Sequence, residues 1–222
     1  MKASTNSRAI QGLYAITPDT ADTEALCSMV QAAIAGGAHM VQYRNKIAEM
    51  ALRQTQALAL LQVCRSQGAR LIINDHVQLC LAIDADGAHV GSDDYRYDGV
   101  NSLQALREQL GDKLLGVSCY NQLKLAQQAE QRGADYIAFG ACFASGTKPA
   151  AIKAELHLFA QAAQCLDVAK VAIGGINLDN AGSVVEAGAD SIAVINALWS
   201  SADIEHTARQ FSALFDQTDT SI

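Results

Sequence analysis

The chain has 222 residues and a mass of 23.5 kDa, a length that suits one large domain or two small ones. Half of the residues are hydrophobic and 18% are charged, which excludes a polar chain unable to bury a core. Sixteen Lys and Arg against 23 Asp and Glu leave a net charge of −7, the opposite of the basic surface that nucleic acids and anionic membranes require.

The N-terminus, Met1 to Arg8, is polar, and no apolar run approaches the roughly 18 to 20 residues of a spanning helix. These features predict a soluble, cytoplasmic protein with no membrane and no nucleic-acid partner. Six cysteines are scattered at positions 27, 64, 80, 119, 142 and 165, without a CxxC pair. Most are expected to be small buried apolar residues rather than a disulfide framework.

Along the chain, short apolar runs alternate with longer stretches of helical spacing. A first strand at Leu13–Ile16 is followed by a helix over Thr23–Ala35, and a second at His39–Tyr43 by a helix over Met50–Ser66. Strand Arg70–Ile73 and a short helix Val77–Ile83 come next, then strand Gly87–Val90 with helix Leu103–Leu110 and strand Leu114–Val117 with helix Leu123–Arg132. Strand Asp135–Phe139 precedes helix Leu156–Leu166, strand Lys170–Ile173 precedes helix Ala181–Ala187, and strand Ser191–Ile195 precedes helix Ile204–Phe215. The strands are almost continuously apolar, as strands covered on both faces are.

A Gly-Ala pair at positions 37, 68, 133 and 188 closes a helix and opens a strand each time, and glycine suits a left-handed helix end. Eight strand–helix units predict an α/β chain folded as a single (β/α)8 barrel across residues 1–222, with short tails at about 1–11 and 216–222. A doubly wound open sheet is the alternative, but Gly174-Gly175 follows a late strand and lacks GxGxxG spacing.

Barrel active sites lie at the C-terminal ends of the strands, so those positions carry the functional reading. After the second strand, Gln42, Arg44 and Lys46 alternate in Gln-Tyr-Arg-Asn-Lys, and alternate residues of an extended chain share a face. An amide, a guanidinium and an ammonium there suit a phosphate or diphosphate; a solvated loop is the plainer reading. Asn74-Asp75 ends the third strand and Asp94 follows the fourth. The two carboxylates could share one Mg²⁺, or each could cap a helix. His89 lies inside a strand and reads as structural. Ser118 ends the fifth strand, beside Cys119, which has no histidine near it in sequence to activate a thiolate. Ser145-Gly146-Thr147-Lys148 after the sixth strand has the composition of a small phosphate cradle, and a surface loop is the alternative. Gly175 after the seventh strand, with Ile195 and Asn196 at the eighth, suits backbone binding of a phosphate or a tight turn. Position and spacing lead to a barrel enzyme for phosphorylated substrates, using Mg²⁺.

Several of these segments together resemble the thiamine-phosphate synthase family. They are Leu13–Thr17, Val41–Lys46, Ile73–Asp75, Gly87–Gly91 through Asp94, Gly116–Ser118, Thr147-Lys148 and Ala172–Ile176. The resemblance implies a transferase of thiamine biosynthesis that couples 4-amino-2-methyl-5-hydroxymethylpyrimidine diphosphate with a thiazole phosphate. The products would be thiamine phosphate and pyrophosphate, formed through a dissociative, Mg²⁺-assisted substitution. It further implies that Gln42, Arg44, Lys46, Asn74, Ser118 and Lys148 contact the pyrimidine diphosphate, with Arg44, Lys46, Lys148 and Ser118 catalytic. Asp75 and Asp94 would carry Mg²⁺, and Ser145, Gly146, Thr147, Gly175, Ile195 and Asn196 would surround the thiazole phosphate. The sequence departs from the family pattern at Ser92, Cys119-Tyr120, Ala144-Ser145 and Asn196, and none of these departures removes a charge. The rivals are a thiazole tautomerase on the same barrel, a non-catalytic phosphate-binding barrel and, more remotely, a phosphosugar isomerase. Apolar residues on the outer helices leave room for a homodimer.

Overall fold

The computed structural model describes residues 10–91, 102–144 and 153–216. Eight parallel strands alternate with helices: β1 (Gly12–Ile16), α1 (Thr23–Ala35), β2 (Met40–Tyr43), α2 (Met50–Ser66), β3 (Arg70–Asn74), α3 (Val77–Ala82), β4 (Gly87–Val90) and α4 (Leu103–Leu110). The second half continues with β5 (Leu114–Tyr120), α5 (Leu123–Gln131), β6 (Tyr136–Phe139), α6 (His157–Ala163), β7 (Ala169–Ile173), α7 (Ala181–Glu186), β8 (Ser191–Val194), α8 (Asn196–Trp199) and α9 (Ile204–Asp216). Each strand pairs with its successor, and β8 returns to β1 through Gly12–Ser191 to Ala15–Val194, closing the barrel.

The strands are apolar on both faces because each face meets a different core. One face packs under the helices with Leu26, Val30, Leu60, Leu71, Ile137, Phe159 and Phe211. The other fills the barrel with Ile10, Tyr14, Ile16, Met40, Ile72, Leu114, Tyr136 and Val171, so the interior is packed rather than open. Ile10, expected in the tail, is only 1% exposed.

The Gly-Ala signals act as the sequence suggests. Gly37, Gly68, Gly133 and Gly188 have φ of +103°, +73°, +89° and +99°, a region that side chains with a Cβ resist. Asp22 caps α1 by accepting from the Ala25 amide at 2.9 Å, and Ser102 caps α4 through the Ala105 amide at 3.2 Å.

The end of the barrel remote from the site is fastened by a repeated aspartate. Asp86, Asp135 and Asp190 stand just before β4 and β6 and β8. Each carboxylate accepts from the amide of the second residue of the preceding strand: Leu71 N at 2.8 Å, Leu115 N at 2.8 Å and Lys170 N at 2.7 Å. Each aspartate amide also donates to the carbonyl of that same residue. A strand-end pair of backbone groups that the ladder leaves over is thereby satisfied from one neighbour.

Two departures from the sequence reading bear on the site. β5 runs to Tyr120 rather than stopping at Val117, with a register shift between Ser118 and Tyr120. Polar Ser118 and exposed Tyr120 break the apolar pattern there, while pairing with β6 continues. A separate four-residue helix, α8, follows β8; it is too short for helical periodicity to show in the sequence.

Candidate active site

At the C-terminal ends of the strands a cavity of about 610 Å³ opens, lined from every strand described. Its lining includes Gln42, Arg44, Lys46, Asn74, Asp75, Ser118, Gly175, Ile195 and Asn196. Sequence reasoning selected all nine, and the barrel brings them together. Asp94, Ser145, Gly146, Thr147 and Lys148, with Ser92, lie outside the described residues.

The cationic segment after β2 is held by neighbours that sequence reasoning missed. Thr17 accepts from the Arg44 amide at 2.9 Å and donates to the Arg44 carbonyl at 3.0 Å. Asp19 accepts from the Lys46 amide at 2.8 Å, and its carboxylate lies 3.5 Å from the Arg44 guanidinium. Between the two cations, Asn45 turns inward and donates to the Thr20 carbonyl at 2.7 Å and to Gln56 Oε1 at 3.0 Å. Gln56, fully buried in α2, also accepts from the Tyr43 hydroxyl at 2.8 Å and donates to the Thr20 carbonyl at 3.0 Å. The sequence signal was present: a Gln in the apolar stripe of a helix needs a polar partner.

Asp75 has φ +62°, an uncommon backbone for a residue other than glycine. Its amide donates to the His89 carbonyl at 2.9 Å, and its Oδ2 accepts from the Asn74 side-chain amide at 2.6 Å. The N-cap of α3 is His76, with no side-chain cap bond of its own, and Asp75, one residue before it, lines the cavity. A carboxylate held at the cavity wall by an amide is the hard-oxygen donor that Mg²⁺ takes, with substrate oxygens and water completing its shell. Among the described residues no group of three His, Cys, Asp or Glu gathers as a metal cage. Asp75 is chemically suited to such an ion, and its expected partner Asp94 lies outside the described residues.

Across the cavity, backbone replaces side chain. Gly174 and Gly175 have φ of +100° and +66°. A Cβ on Gly175 would lie 2.5 Å from the Ala144 carbonyl oxygen and 2.7 Å from that of Phe143. The turn after β7 thus presses against the segment after β6, as close approach requires. Asn180 donates to the Gly175 carbonyl at 3.0 Å and fixes the turn. Trp199 in α8 donates to the Ile16 carbonyl at 2.6 Å, tying the segment that begins at Asn196 to β1.

The floor of the cavity carries polar groups that sequence reasoning assigned to the core. Tyr14 and His89 line it, and Tyr136 lies directly beneath them, fully buried and hydrogen-bonded to both. Gly116 makes room for the Tyr136 ring; a Cβ there would overlap it, 2.3 Å from the hydroxyl oxygen. Burial pushes the hydroxyls of Tyr14 and Tyr136 up, so both stay protonated. Burial pushes His89 down to about 4, so the imidazole is neutral at physiological pH. The only signal in the sequence was a histidine within an apolar strand.

The six cysteines are unpaired, and four of them are buried, while Cys27 is half-buried and Cys165 exposed. Burial pushes the Cys119 thiol up to about 12, which leaves no thiolate for nucleophilic chemistry. No helix among the described residues is long and apolar enough to cross a membrane.

The thiamine-phosphate synthase of Methylobacillus flagellatus is 55% identical over 208 residues, covering 93% of this chain and 96% of the relative. That of Nitrosomonas eutropha is 49% identical over 207 residues, covering 93% and 95%. The solved structure of thiamine phosphate pyrophosphorylase from Pyrococcus furiosus superposes with a TM-score of 0.80 at 29% identity, covering 96% of this chain and 98% of that one. A family model described as thiamine monophosphate synthase matches residues 13–198, from the first strand to the short helix behind the cavity. With the family model spanning the barrel from its first strand to α8 and relatives this similar over nearly the whole length, this chain belongs to the thiamine monophosphate synthase family.

Proposed function

We propose that the chain couples 4-amino-2-methyl-5-hydroxymethylpyrimidine diphosphate to a thiazole phosphate, giving thiamine phosphate and pyrophosphate. The observation that carries this reading is the single cavity that gathers Arg44 and Lys46 on one wall, Asn74-Asp75 on the next and the Gly174-Gly175 turn opposite. That arrangement supports a reading in which two anionic groups are held at once.

Arg44 offers a planar fork and Lys46 a point charge to a diphosphate. As the bond from the pyrimidine methylene to the diphosphate breaks, negative charge grows on the leaving group, where these cations already stand. Lys148 would add a third. Asp75 and Asp94 would hold Mg²⁺, which when bound neutralises charge on the diphosphate. Ser145, Gly146 and Thr147, with Gly175, Ile195 and Asn196, would hold the thiazole phosphate so that the ring nitrogen faces the methylene, converting a bimolecular encounter into a positioned one. The attacking atom is an aromatic nitrogen with a free lone pair, so no general base is needed. The neutral His89 and the protonated Cys119 are consistent with that economy.

A thiazole tautomerase would have no use for a diphosphate apparatus, and Arg44, Lys46 and Asp75 favour the synthase. A phosphosugar isomerase is the more remote reading, without an assigned acid or base at the end of β6. We place the enzyme in the cytoplasm with small-molecule partners only. Exposed apolar Met50 and Leu58 on α2 favour a homodimer, which light scattering tests. The decisive assay mixes purified protein, both substrates and Mg²⁺, and scores thiamine phosphate and pyrophosphate. Product that disappears with EDTA and with Asp94→Ala supports the coupling and the metal assignment; no product from folded protein and intact substrates overturns the reading.

A further inference from the structure

Five side chains form a continuous polar line across the barrel beneath the cavity. Gln42 on β2 reaches Tyr14 on β1, which meets Tyr136 on β6, then His89 on β4, then Ser118 on β5. Gln42, Tyr14, Tyr136 and His89 are 3%, 1%, 0% and 7% exposed. Each group meets its neighbours directly, so the donors and acceptors along the line can be counted in order.

We infer that this line is a one-way hydrogen-bond chain that keeps the His89 proton on Nε2 and turns the Ser118 hydroxyl proton into the cavity. The accounting starts at Gln42, whose Nε2 can only donate and lies 2.8 Å from the Tyr14 hydroxyl oxygen. Tyr14 accepts there, and its single proton goes to its other partner, the Tyr136 oxygen at 2.8 Å. Tyr136 therefore accepts from Tyr14 and donates its own proton to His89 Nδ1 at 3.1 Å. An Nδ1 that accepts is bare, so the imidazole proton sits on Nε2 and is donated to Ser118 Oγ at 2.9 Å. Ser118 lines the cavity, and its own proton is left to donate to what occupies it.

The rings are placed for this direction. Tyr136 fits over Gly116. It stacks on His89 with centroids 5.5 Å apart at 29°, and meets the edge of Tyr14 at 6.0 Å and 80°. Two phenols and an imidazole held this way have little freedom to reorient. Tyr14, Tyr136 and His89 are thus positioning residues: they fix the polarity of Ser118. Resting on the function proposed above, the inference adds that the pyrimidine diphosphate must present an acceptor to Ser118, a ring nitrogen or a diphosphate oxygen. A substrate analogue offering an N–H at that point would be refused.

The test is spectroscopic and independent of turnover. Long-range ¹H–¹⁵N spectra of the full chain labelled with ¹⁵N-histidine, with His89 identified by loss of its signals in His89→Gln, report which ring nitrogen is protonated. We expect protonated Nε2 and bare Nδ1; a proton on Nδ1 overturns the inference even if the enzyme makes thiamine phosphate. Tyr136→Phe removes the donor to Nδ1 and should give a mixed tautomer. With it the KM for the pyrimidine diphosphate should rise roughly tenfold, the loss of one oriented bond, with the KM for the thiazole phosphate unmoved. An unchanged tautomer with unchanged KM in folded Tyr136→Phe also overturns it. If the protein makes no thiamine phosphate, the wild-type spectrum still decides the direction of the chain, so the two readings fail separately.

Discussion

His89 shows how one residue couples the site to stability. Its folded form holds to about 4 against 6.5 in an unfolded chain, because burial disfavours the charged ring. As pH falls from 6.5 to about 4, the unfolded state takes up a proton that the folded state refuses. Stability therefore falls with pH across that window, by on the order of 3 kcal/mol at its acid end. Urea midpoints of the wild type and of His89→Gln, compared at pH 7 and pH 4.5, measure it. The wild type should lose the larger share; equal losses would show that the ring does not control the acid limb. Gly175 illustrates a different constraint. With φ +66° and two carbonyl oxygens within 2.7 Å of any added Cβ, Gly175→Ala should cost about 1–3 kcal/mol. Its KM for the thiazole phosphate should rise, because the turn is displaced from the cavity wall; thermal unfolding and steady-state kinetics give both numbers.

At the scale of elements, the segment after β2 is as much a product of α2 as of the strand. Asn45 and Gln56 anchor the stretch that carries Arg44 and Lys46 to the Thr20 carbonyl. Asn45→Ala leaves both cations in the sequence but frees their backbone. The expected result is a KM for the pyrimidine diphosphate raised about tenfold, since small misplacements of positioning groups are costly. Unaltered kinetics would mean that Thr17 and Asp19 suffice to hold the segment. The opposite end of the barrel obeys a rule of its own. Asp190 bonds the Lys170 amide at 2.7 Å and its ammonium at 2.8 Å, far from the substrate cavity. Asp190→Ala should destabilise by about 1–3 kcal/mol, leaving a half-buried amide and a nearly buried lysine without their acceptor, while kcat stays within twofold of wild type.

For the whole molecule, the closing step is the pairing of β1 with β8. Trp199, the single tryptophan, donates to Ile16 at that seam, so its fluorescence reports closure. Among the described residues the outer core takes side chains from all eight strands and the interior core from every strand but β4. Fluorescence and far-ultraviolet circular dichroism should therefore lose their native signal at the same urea concentration. A fluorescence transition that precedes the loss of helix would show the seam opening first.

The sequence by itself determined the barrel and most of its mouth. Apolar runs of strand length, Gly-Ala helix ends at positions 37, 68, 133 and 188, and polar residues grouped just after the strands are local patterns. Local patterns suffice when strand order follows chain order, as it does here from β1 to β8. Alternation alone placed Gln42, Arg44 and Lys46 on the cavity side. What the tertiary structure decided are relations between distant residues. The line from Gln42 through Tyr14, Tyr136 and His89 to Ser118 joins five strands, with Tyr14 and Tyr136 separated by 122 positions. Each member read singly is a polar atom in an apolar strand, and only the closed ring supplies its partner. The same holds for Gln56 beneath Asn45 and for Asp75, whose left-handed backbone is held by an amide bond to the His89 carbonyl on the neighbouring strand. Period and punctuation are written along the chain; the satisfaction of buried hydrogen bonds is settled across it.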